Sequence, residues 1–234
     1  MPDTVRLVAD TRQGGTLART HEGQPGLPRG RSHLPPRDVR ASQRERLLHS
    51  VIAAVSESGY HGVTVADIVR RAKVSRAAFY EHFTNKQDCF LTATSEGRQA
   101  LLTRVVAATR ALSAGADDEQ VLRAAVRAYL AFLAEEPAFA RVFFVYMLAA
   151  GPVAARRLDA APRLFADLNR RWHERGRERH PDWPAVPGEA YLALAGATSE
   201  LVRAKVYAGR TGTLPDLEDT VVSLHLAVLA GRPW

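Results

Sequence analysis

The stretch VTVADIVRRAKVSRAAFYEHFTNKQDCF, residues 63–90, decides how this chain folds. Thr64 is a good helix N-cap, and it is followed by apolar residues at helical spacing: Val65, Ile68, Val69 and Ala72. After a turn at Lys73-Val74, Ser75 can cap a second short helix, which carries Phe79 and Phe83. Two short helices joined by a tight turn predict a helix-turn-helix unit.

This pattern indicates DNA as a partner. In a helix-turn-helix unit the first helix braces against the DNA backbone, and the second lies in the major groove with its N-terminal residues at base edges. We expect the small core between the two helices to consist of Ile68, Val74, Phe79 and Phe83. The residues left to face outward are Arg76, Ala77, Tyr80 and His82.

The segment before this unit has a different composition. Residues 1–40 are rich in Gly and Pro and have no sustained apolar period, so we expect a flexible basic arm that supplies no core residue. Helical spacing begins after Ser42, and Ser58-Gly59 ends that helix. We therefore divide the chain into an arm (1–40), a helix-turn-helix DNA-binding domain (41–90) and a helical C-terminal domain (91–234).

The remainder of the chain reads as helical, and no alternating strand pattern occurs, so the predicted fold class is all-α. Asn85 caps a helix that reaches about Leu112, with Asp88 in a capping-box-like position. The segment 138–150 is apolar almost all round, which predicts a central, buried helix. Pro162 indicates either a kink or a late start in the next helix.

The last two helices, near residues 189–209 and 215–230, predict a homodimer. The final helix has two apolar stripes, formed by Leu217, Val221, Leu224 and Val228 and by Val222, Leu226 and Leu229. So wide an arc is more than one core needs. We expect a four-helix interface between two copies. The alternative is a helix buried within one chain.

The helix-turn-helix stretch resembles the tetracycline-repressor (TetR) family of bacterial one-component regulators. The residues that carry the resemblance are Thr64, Ile68, Ala72, Val74-Ser75, Tyr80, Phe83 and Lys86. Two positions depart from the family pattern. Lys73 stands where Gly is usual, at a turn position that often favours left-handed geometry. Ala77-Ala78 stand where polar residues are common.

The resemblance implies roles for individual residues. Thr64, Tyr80 and Lys86 are expected to contact phosphates, and the expected major-groove face consists of Ser75, Arg76, Ala77 and His82. Arg76 is the best candidate to read guanine. Arg29 and Arg31 of the arm could enter the minor groove. The alternatives are a core role for Tyr80, a solvated Arg76 and a passive arm.

The resemblance also implies a cavity for an apolar or amphiphilic small molecule in the C-terminal domain. The candidate lining residues are Phe132, Phe143, Tyr146, Met147, Phe165 and Trp172, with Glu200 as a polar candidate. Phe144, Asn169, His173 and Arg203 are further candidates. Aromatic residues at helical spacing are also common in an ordinary core.

Composition excludes several classes of protein. A net charge of +7 favours anionic partners, and the single cysteine, Cys89, excludes an internal disulfide. The longest uncharged apolar stretch, 142–155, is too short to span a bilayer, so we expect a cytoplasmic protein that does not bind membranes. Two pairs of potential ligands, His173 with His180 and His82 with Cys89, are too few for a metal site. We expect no metal, no cofactor and no catalytic residue.

Together these features predict a dimeric, ligand-responsive transcriptional regulator. It would bind a palindromic operator on double-stranded DNA and repress by occluding the promoter, and an effector would lower its affinity. One alternative is a structural DNA-binding protein without an effector. The other is an all-α enzyme with an incidental helix-turn-helix, which the absence of a nucleophile motif and of paired carboxylates disfavours.

Overall fold

The computed structural model describes residues 15–19 and 36–233, and every regular element in that part is a helix. The all-α fold class is therefore confirmed. The helices are α1 (Pro36–Gly62), α2 (Val65–Ala72), α3 (Arg76–His82), α4 (Lys86–Arg110), α5 (Asp118–Glu135), α6 (Pro137–Arg141), α7 (Pro152–Arg179), α8 (Gly188–Tyr207) and α9 (Glu218–Leu229).

Helix α1 lies at the centre of the N-terminal part and packs against α2, α4 and α6. Further along the chain α4 packs on α5, α7 on α8, and α5 on α9. One continuous apolar core runs through all of these contacts. The division that we predict after residue 90 falls inside α4, so this helix belongs to both units.

The predicted end of the first helix is confirmed at Gly59, whose backbone leaves the helical region with φ 71° and ψ 164°. Only glycine adopts such a positive φ without strain. The ring of Tyr146 lies 3.5 Å from the position that a Cβ would take at residue 59. The interruption therefore also gives Tyr146 room against α1.

The expectation of one helix over 138–150 is wrong. Helix α6 ends at Arg141, a wide π turn covers Val142–Tyr146, and a 3-10 turn covers Met147–Ala150. Residues 142–146 are all β-branched or aromatic, and such side chains lose rotamer freedom in a regular α-helix. Gly151, at φ 91°, then redirects the chain into α7.

Helix α7 begins at Pro152 and continues through Pro162, so the late start is wrong. Proline is well suited to the first position of a helix, where its missing N–H costs nothing. The early start brings the residues around Pro162 alongside α8, against which α7 packs.

The expectation of a flexible arm over 1–40 is wrong in two places. Residues 36–40 form the first turn of α1, where proline suits the first position. Thr16–Ala18 form a 3-10 turn, and Ala18 is buried in the core. Arg29 and Arg31 lie outside the described residues.

The contact between α4 and α6 leads to the first prediction. A Cβ at Gly97 of α4 would lie 2.3 Å from Cε2 of Phe139 in α6. Gly97→Ala should therefore lower the free energy of unfolding by about 1–3 kcal/mol through overpacking. Urea unfolding measures this loss. The control is Gly188→Ala, whose Cβ meets no described atom within 4 Å and which should change stability by less than about 0.5 kcal/mol. Equal stability of both variants would contradict the packing of α4 on α6.

Candidate DNA-binding face and interior cavity

The start of α2 is fixed by a capping box between Thr64 and Asp67. The Thr64 hydroxyl accepts from the Asp67 backbone N–H at 3.2 Å, and Asp67 Oδ2 accepts from the Thr64 N–H at 3.0 Å. Hydrogen bonds from Thr64, and then from Arg70, lower the pKa of the Asp67 carboxyl to about 2. The predicted N-cap is confirmed.

The turn between α2 and α3 passes through Lys73 in the left-handed region, at φ 53° and ψ 41°. This is the geometry expected where glycine is usual, and a lysine there carries some backbone strain. Ser75 then caps α3 by accepting from the Ala78 N–H at 3.1 Å. The turn and the cap together set the direction in which α3 leaves α2.

The side chains of α3 divide between a buried and an exposed face. The residues predicted to form the small core, namely Ile68, Val74, Phe79 and Phe83, are all buried. Ser75, Arg76, Ala77 and Tyr80 are exposed. Tyr80 is 49% exposed, so a core role for it is wrong. The Arg76 guanidinium lies 5.8 Å from the centre of the Tyr80 ring and donates to its hydroxyl at 3.5 Å.

His82 does not share this exposed face. At about 100° per residue, position 82 lies about 240° around α3 from Arg76. The His82 side chain is half-buried near Arg40 and Arg44, and burial lowers its pKa. No hydrogen-bond partner for its Nε2 lies among the described residues.

Lys86, predicted to contact phosphate, is turned into the protein. Its ammonium donates to the backbone carbonyls of Tyr60 at 2.8 Å and Val63 at 2.7 Å. It also lies 4.2 Å from the centre of the Tyr60 ring. Burial lowers the pKa of Lys86. The ammonium therefore satisfies carbonyls at the end of α1, and the structure does not bring it to the face formed by Arg76 and Tyr80.

The N-cap at Asn85 is confirmed, since its side chain accepts from the Asp88 N–H at 2.9 Å. The reciprocal partner differs from the expectation, because Asp88 Oδ2 accepts from the N–H of Thr84 at 2.9 Å. These bonds anchor the start of α4 next to α3.

A cavity of about 200 Å³ lies within the C-terminal helices. Its apolar walls come from α4, α5, α6, α7 and the π turn: Leu101, Tyr129, Leu133, Phe139, Phe143, Phe144, Leu158, Ala161, Pro162 and Phe165. Arg98 of α4 and four residues of α8, Gly196, Ser199, Glu200 and Arg203, complete the lining. An apolar lining with a few polar groups is typical of small-molecule sites.

A second cavity, of about 90 Å³, shares Tyr129, Phe165 and Ser199 with the first. The Tyr129 and Phe165 rings meet edge to face, with centroids 5.2 Å apart. These two rings therefore stand between the cavities.

The second cavity contains uncharged polar groups. His225 Nδ1 lies 2.8 Å from the Val221 carbonyl, which can only accept, so Nδ1 carries the proton. Its Nε2 then accepts from Asn169 Nδ2 at 3.2 Å. Burial lowers the pKa of His225, which keeps the ring neutral. The Thr198 hydroxyl, also in the lining, is buried with no hydrogen-bond partner among the described residues.

At the first cavity, Glu200 and Arg203 form a bidentate ion pair on α8. Arg203 Nε and Nη2 donate to the carboxylate at 2.7 and 2.6 Å, which lowers the pKa of Glu200. Both side chains are exposed, so solvent screens the pair. Arg98 and Arg203 are therefore two cationic side chains in the lining of a cavity whose walls are otherwise mainly apolar.

Of the residues predicted to line a cavity, the structure brings Phe143, Phe165 and Glu200 together with Phe144 and Arg203. Asn169 lines the second cavity. The linings of these two cavities do not include the other four aromatic and Met candidates, whose side chains pack elsewhere. Phe132 packs on Phe139, Tyr146 lies against Gly59, Met147 is buried, and Trp172 packs on Trp183.

His173 is also outside both cavities. Its Nδ1 lies 2.8 Å from the Tyr191 hydroxyl, and its ring stacks on Trp183. Sequence reasoning missed Arg98, Tyr129 and Phe139, which come from three different helices. The local spacing of these residues resembles that of any core position, so no signal within one helix marks them.

No cluster of three or more His, Cys, Asp or Glu side chains among the described residues could hold a metal ion. No helix in the described part is long and apolar enough to cross a membrane.

Comparison with known proteins gives a consistent result. Residues 48–93 match the model for bacterial regulatory proteins of the tetR family. The transcriptional activator FasR of Mycolicibacterium smegmatis is 29% identical over 152 residues, which cover 65% of this chain and 67% of that protein. The transcriptional regulator BetI of Escherichia coli is 33% identical over 114 residues, or 43% of this chain and only 58% of BetI.

Two solved structures share the fold. The fatty acid degradation regulator FadR of Bacillus halodurans has a TM-score of 0.71 at 18% identity, covering 83% of this chain and 97% of that one. The regulator FadR of Bacillus subtilis, solved in complex with stearoyl-CoA, has a TM-score of 0.68 at 16% identity, covering 79% and 98%.

A capped helix-turn-helix with an exposed recognition face, joined to helices around an apolar cavity, defines a one-component DNA-binding regulator. The match over residues 48–93 and the similar proteins support a TetR-family transcriptional regulator, as the helix-turn-helix residues indicate.

The contacts of Lys86 lead to the second prediction. Lys86→Met removes two charge-assisted hydrogen bonds and leaves two carbonyls unpaired, so it should lower the free energy of unfolding by about 1.5–3 kcal/mol. The measurement is urea or thermal unfolding. Lys73→Met, the same change at an exposed lysine of the same unit, is the control and should have little effect. A Lys86→Met protein that keeps its stability but loses DNA affinity would restore the phosphate role.

Proposed function

We propose that this regulator is a homodimeric repressor that binds a palindromic operator and is released by an amphiphilic effector. The observation that carries the proposal is the exposed face of α3. Phe79 and Phe83 use the opposite face for the core, and this leaves Arg76, Ala77 and Tyr80 open to solvent. A short helix presented in this way suits the major groove.

On this face each side chain has a chemical role in the proposal. Arg76 is long and cationic, and two N–H groups of its guanidinium would donate to guanine O6 and N7. Ala77 would contact a thymine methyl, and Ser75 would lie near the base edges at the start of α3. The Tyr80 hydroxyl and Thr64 would contact phosphates. Arg29 and Arg31 remain proposed minor-groove contacts, outside the described residues.

The role of Arg76 gives the third prediction. The operator is first obtained by selection from random duplexes. Arg76→Ala should weaken binding to it by about 1–3 kcal/mol. The change should also relax the preference for one base at one position in each half-site. Fluorescence anisotropy on operator and random duplexes measures the difference. Arg110→Ala, at the distant end of α4, is the control and should bind as the unchanged protein does. Equal losses on operator and random DNA would assign Arg76 to the backbone instead.

The surface of α8 and α9 supports the proposed homodimer. Large apolar side chains remain exposed there: Leu192 at 38%, Tyr207 at 62% and Val228 at 37%. Leu201 and Leu224 are half-buried against the core. Packing these two helices on a second copy would bury the exposed groups in a four-helix interface.

The lining of the cavities supports an effector with an acyl chain and an anionic head. The apolar walls would take the chain, and Arg98 and Arg203 would bind the head once the Glu200–Arg203 pair opens. Rotation of Phe165 would join the two cavities and lengthen the space for the chain. The FadR of Bacillus subtilis was solved with stearoyl-CoA, which makes that molecule the natural first probe.

The effector proposal gives the fourth prediction. Stearoyl-CoA at 100 times its Kd should stabilise the protein by about 2.7 kcal/mol and should lower operator affinity. Thermal unfolding and anisotropy measure the two effects. The double variant Arg98→Gln with Arg203→Gln should lose most of this stabilisation, because it removes the proposed head contacts. The control is Arg210→Gln, at an exposed arginine outside the cavity lining. Full stabilisation of the double variant would remove the arginines from the head site.

Repression itself is tested by transcription from a promoter that carries the selected operator. We expect addition of the protein to reduce transcript and addition of the effector to restore it. FasR is a transcriptional activator. An increase in transcript on adding the protein would indicate that this chain also activates transcription.

A further inference from the structure

A short N-terminal segment, residues 15–19, is packed into the folded chain. Thr16–Ala18 form a 3-10 turn, and Ala18 is only 5% exposed. Leu17 lines a cavity of about 200 Å³ together with residues of α1 and α4: Ala41, Arg44, Glu45, Leu48, His49, Ile52, Ala93 and Glu96. The segment therefore contacts the helix against which the helix-turn-helix unit packs.

The same segment binds a buried carboxylate of the helical domain. Glu136, 5% exposed, lies between the end of α5 and the start of α6. Its Oε1 accepts from the Thr16 N–H at 2.8 Å and from the Thr16 hydroxyl at 2.5 Å, and its Oε2 accepts from the Leu17 N–H at 2.9 Å. The ion pairs of the described residues do not include Glu136, and the nearby Arg104 donates to Glu135. These three bonds satisfy a charge that is costly to bury alone.

Gly15 shows how closely the segment approaches this carboxylate. Its φ of +78° lies in the region that favours glycine. A Cβ at this position would lie 2.2 Å from Glu136 Oε2 and 2.7 Å from the Glu135 carbonyl oxygen. Position 15 therefore requires glycine both for its backbone conformation and for the space available.

Glu136 is also close in sequence to the wall of the effector cavity. Phe139 follows one helical turn later in α6, and Phe143 follows in the π turn. Both line the cavity. A displacement of this wall would thus move the carboxylate, because α6 is a single short helix.

We propose that residues 15–19 form an N-terminal clip that ties α1 to the junction of α5 and α6 and so sets the position of the helix-turn-helix unit on the helical domain. The clip acts through the hydrogen bonds of Thr16 and Leu17 to Glu136 and through the burial of Ala18. Its effect on DNA affinity is independent of which effector enters the cavity.

A pair of deletions tests the clip in the full protein. Removal of residues 2–14 keeps the clip, whereas removal of residues 2–19 takes it away and leaves the Glu136 carboxylate without these three donors. The Tm should fall only in the second variant. Glu136→Gln should lower the Tm of the intact chain, because an amide accepts fewer of these bonds, but should have little further effect in the 2–19 deletion, where the donors are already absent. This dependence of the effect on the clip is specific to a carboxylate that the clip satisfies.

Hydrogen exchange and DNA binding test the tie to α1. Without the clip, protection should fall about tenfold in residues 136–141 and also in residues 41–52 of α1, while α9 keeps its protection as an internal reference. Affinity for the selected operator should fall in the 2–19 deletion but not in the 2–14 deletion, since both variants retain Arg29 and Arg31.

If the 2–19 deletion fails to fold, Gly15→Ala serves as the second variant, because it crowds the carboxylate and leaves every other residue in place. Equal exchange in residues 41–52 with and without the clip would overturn the proposal. So would a loss of protection confined to residues 136–141, which would make the segment a local stabiliser with no tie to α1. A Glu136→Gln change that lowers the Tm equally in both backgrounds would also overturn it.

Discussion

The ammonium of Lys86 joins the end of the first helix to the start of the fourth, on either side of the helix-turn-helix unit. Helix α1 is interrupted at Gly59, and the chain must then supply partners for the carbonyls of Tyr60 and Val63. Lys86, the first residue of α4, donates to both. Because unpaired buried carbonyls are costly, this one side chain fixes the end of α1 against the start of α4. Helices α2 and α3 lie between these two points in the chain, so this contact joins the two ends of the helix-turn-helix unit.

Helix α4 extends this constraint to the interior cavity. It begins at Lys86 beside α3 and continues without interruption to Arg110. Arg98 and Leu101, farther along the same helix, line the cavity. The close contact of Gly97 with Phe139 joins α4 to the opposite wall. An effector that displaces this wall would therefore act on α4, whose start lies beside α3. The proposed N-terminal clip is a second connection between the same two units.

Features that depend on neighbours in sequence could be predicted, and those that depend on distant residues could not. Thr64 and Ser75 were predictable as caps because each binds an N–H three residues away. The contacts of Lys86 could not be predicted because its carbonyl partners lie 26 and 23 residues upstream. The turn at Thr16 was missed because its partner, Glu136, is 120 residues away. The cavity lining follows the same principle. Trp172 has the spacing of a lining residue, but only the packing of α7 shows that it faces Trp183.

The central claim is that two copies of α3 read DNA together, and hydroxyl-radical footprinting of the full protein on its selected operator tests it most directly. The account predicts two protected half-sites related by a two-fold axis, with centres about 34–36 Å or a multiple of that apart on one face of the duplex. A single asymmetric footprint, bound by one copy of the chain, would contradict the account.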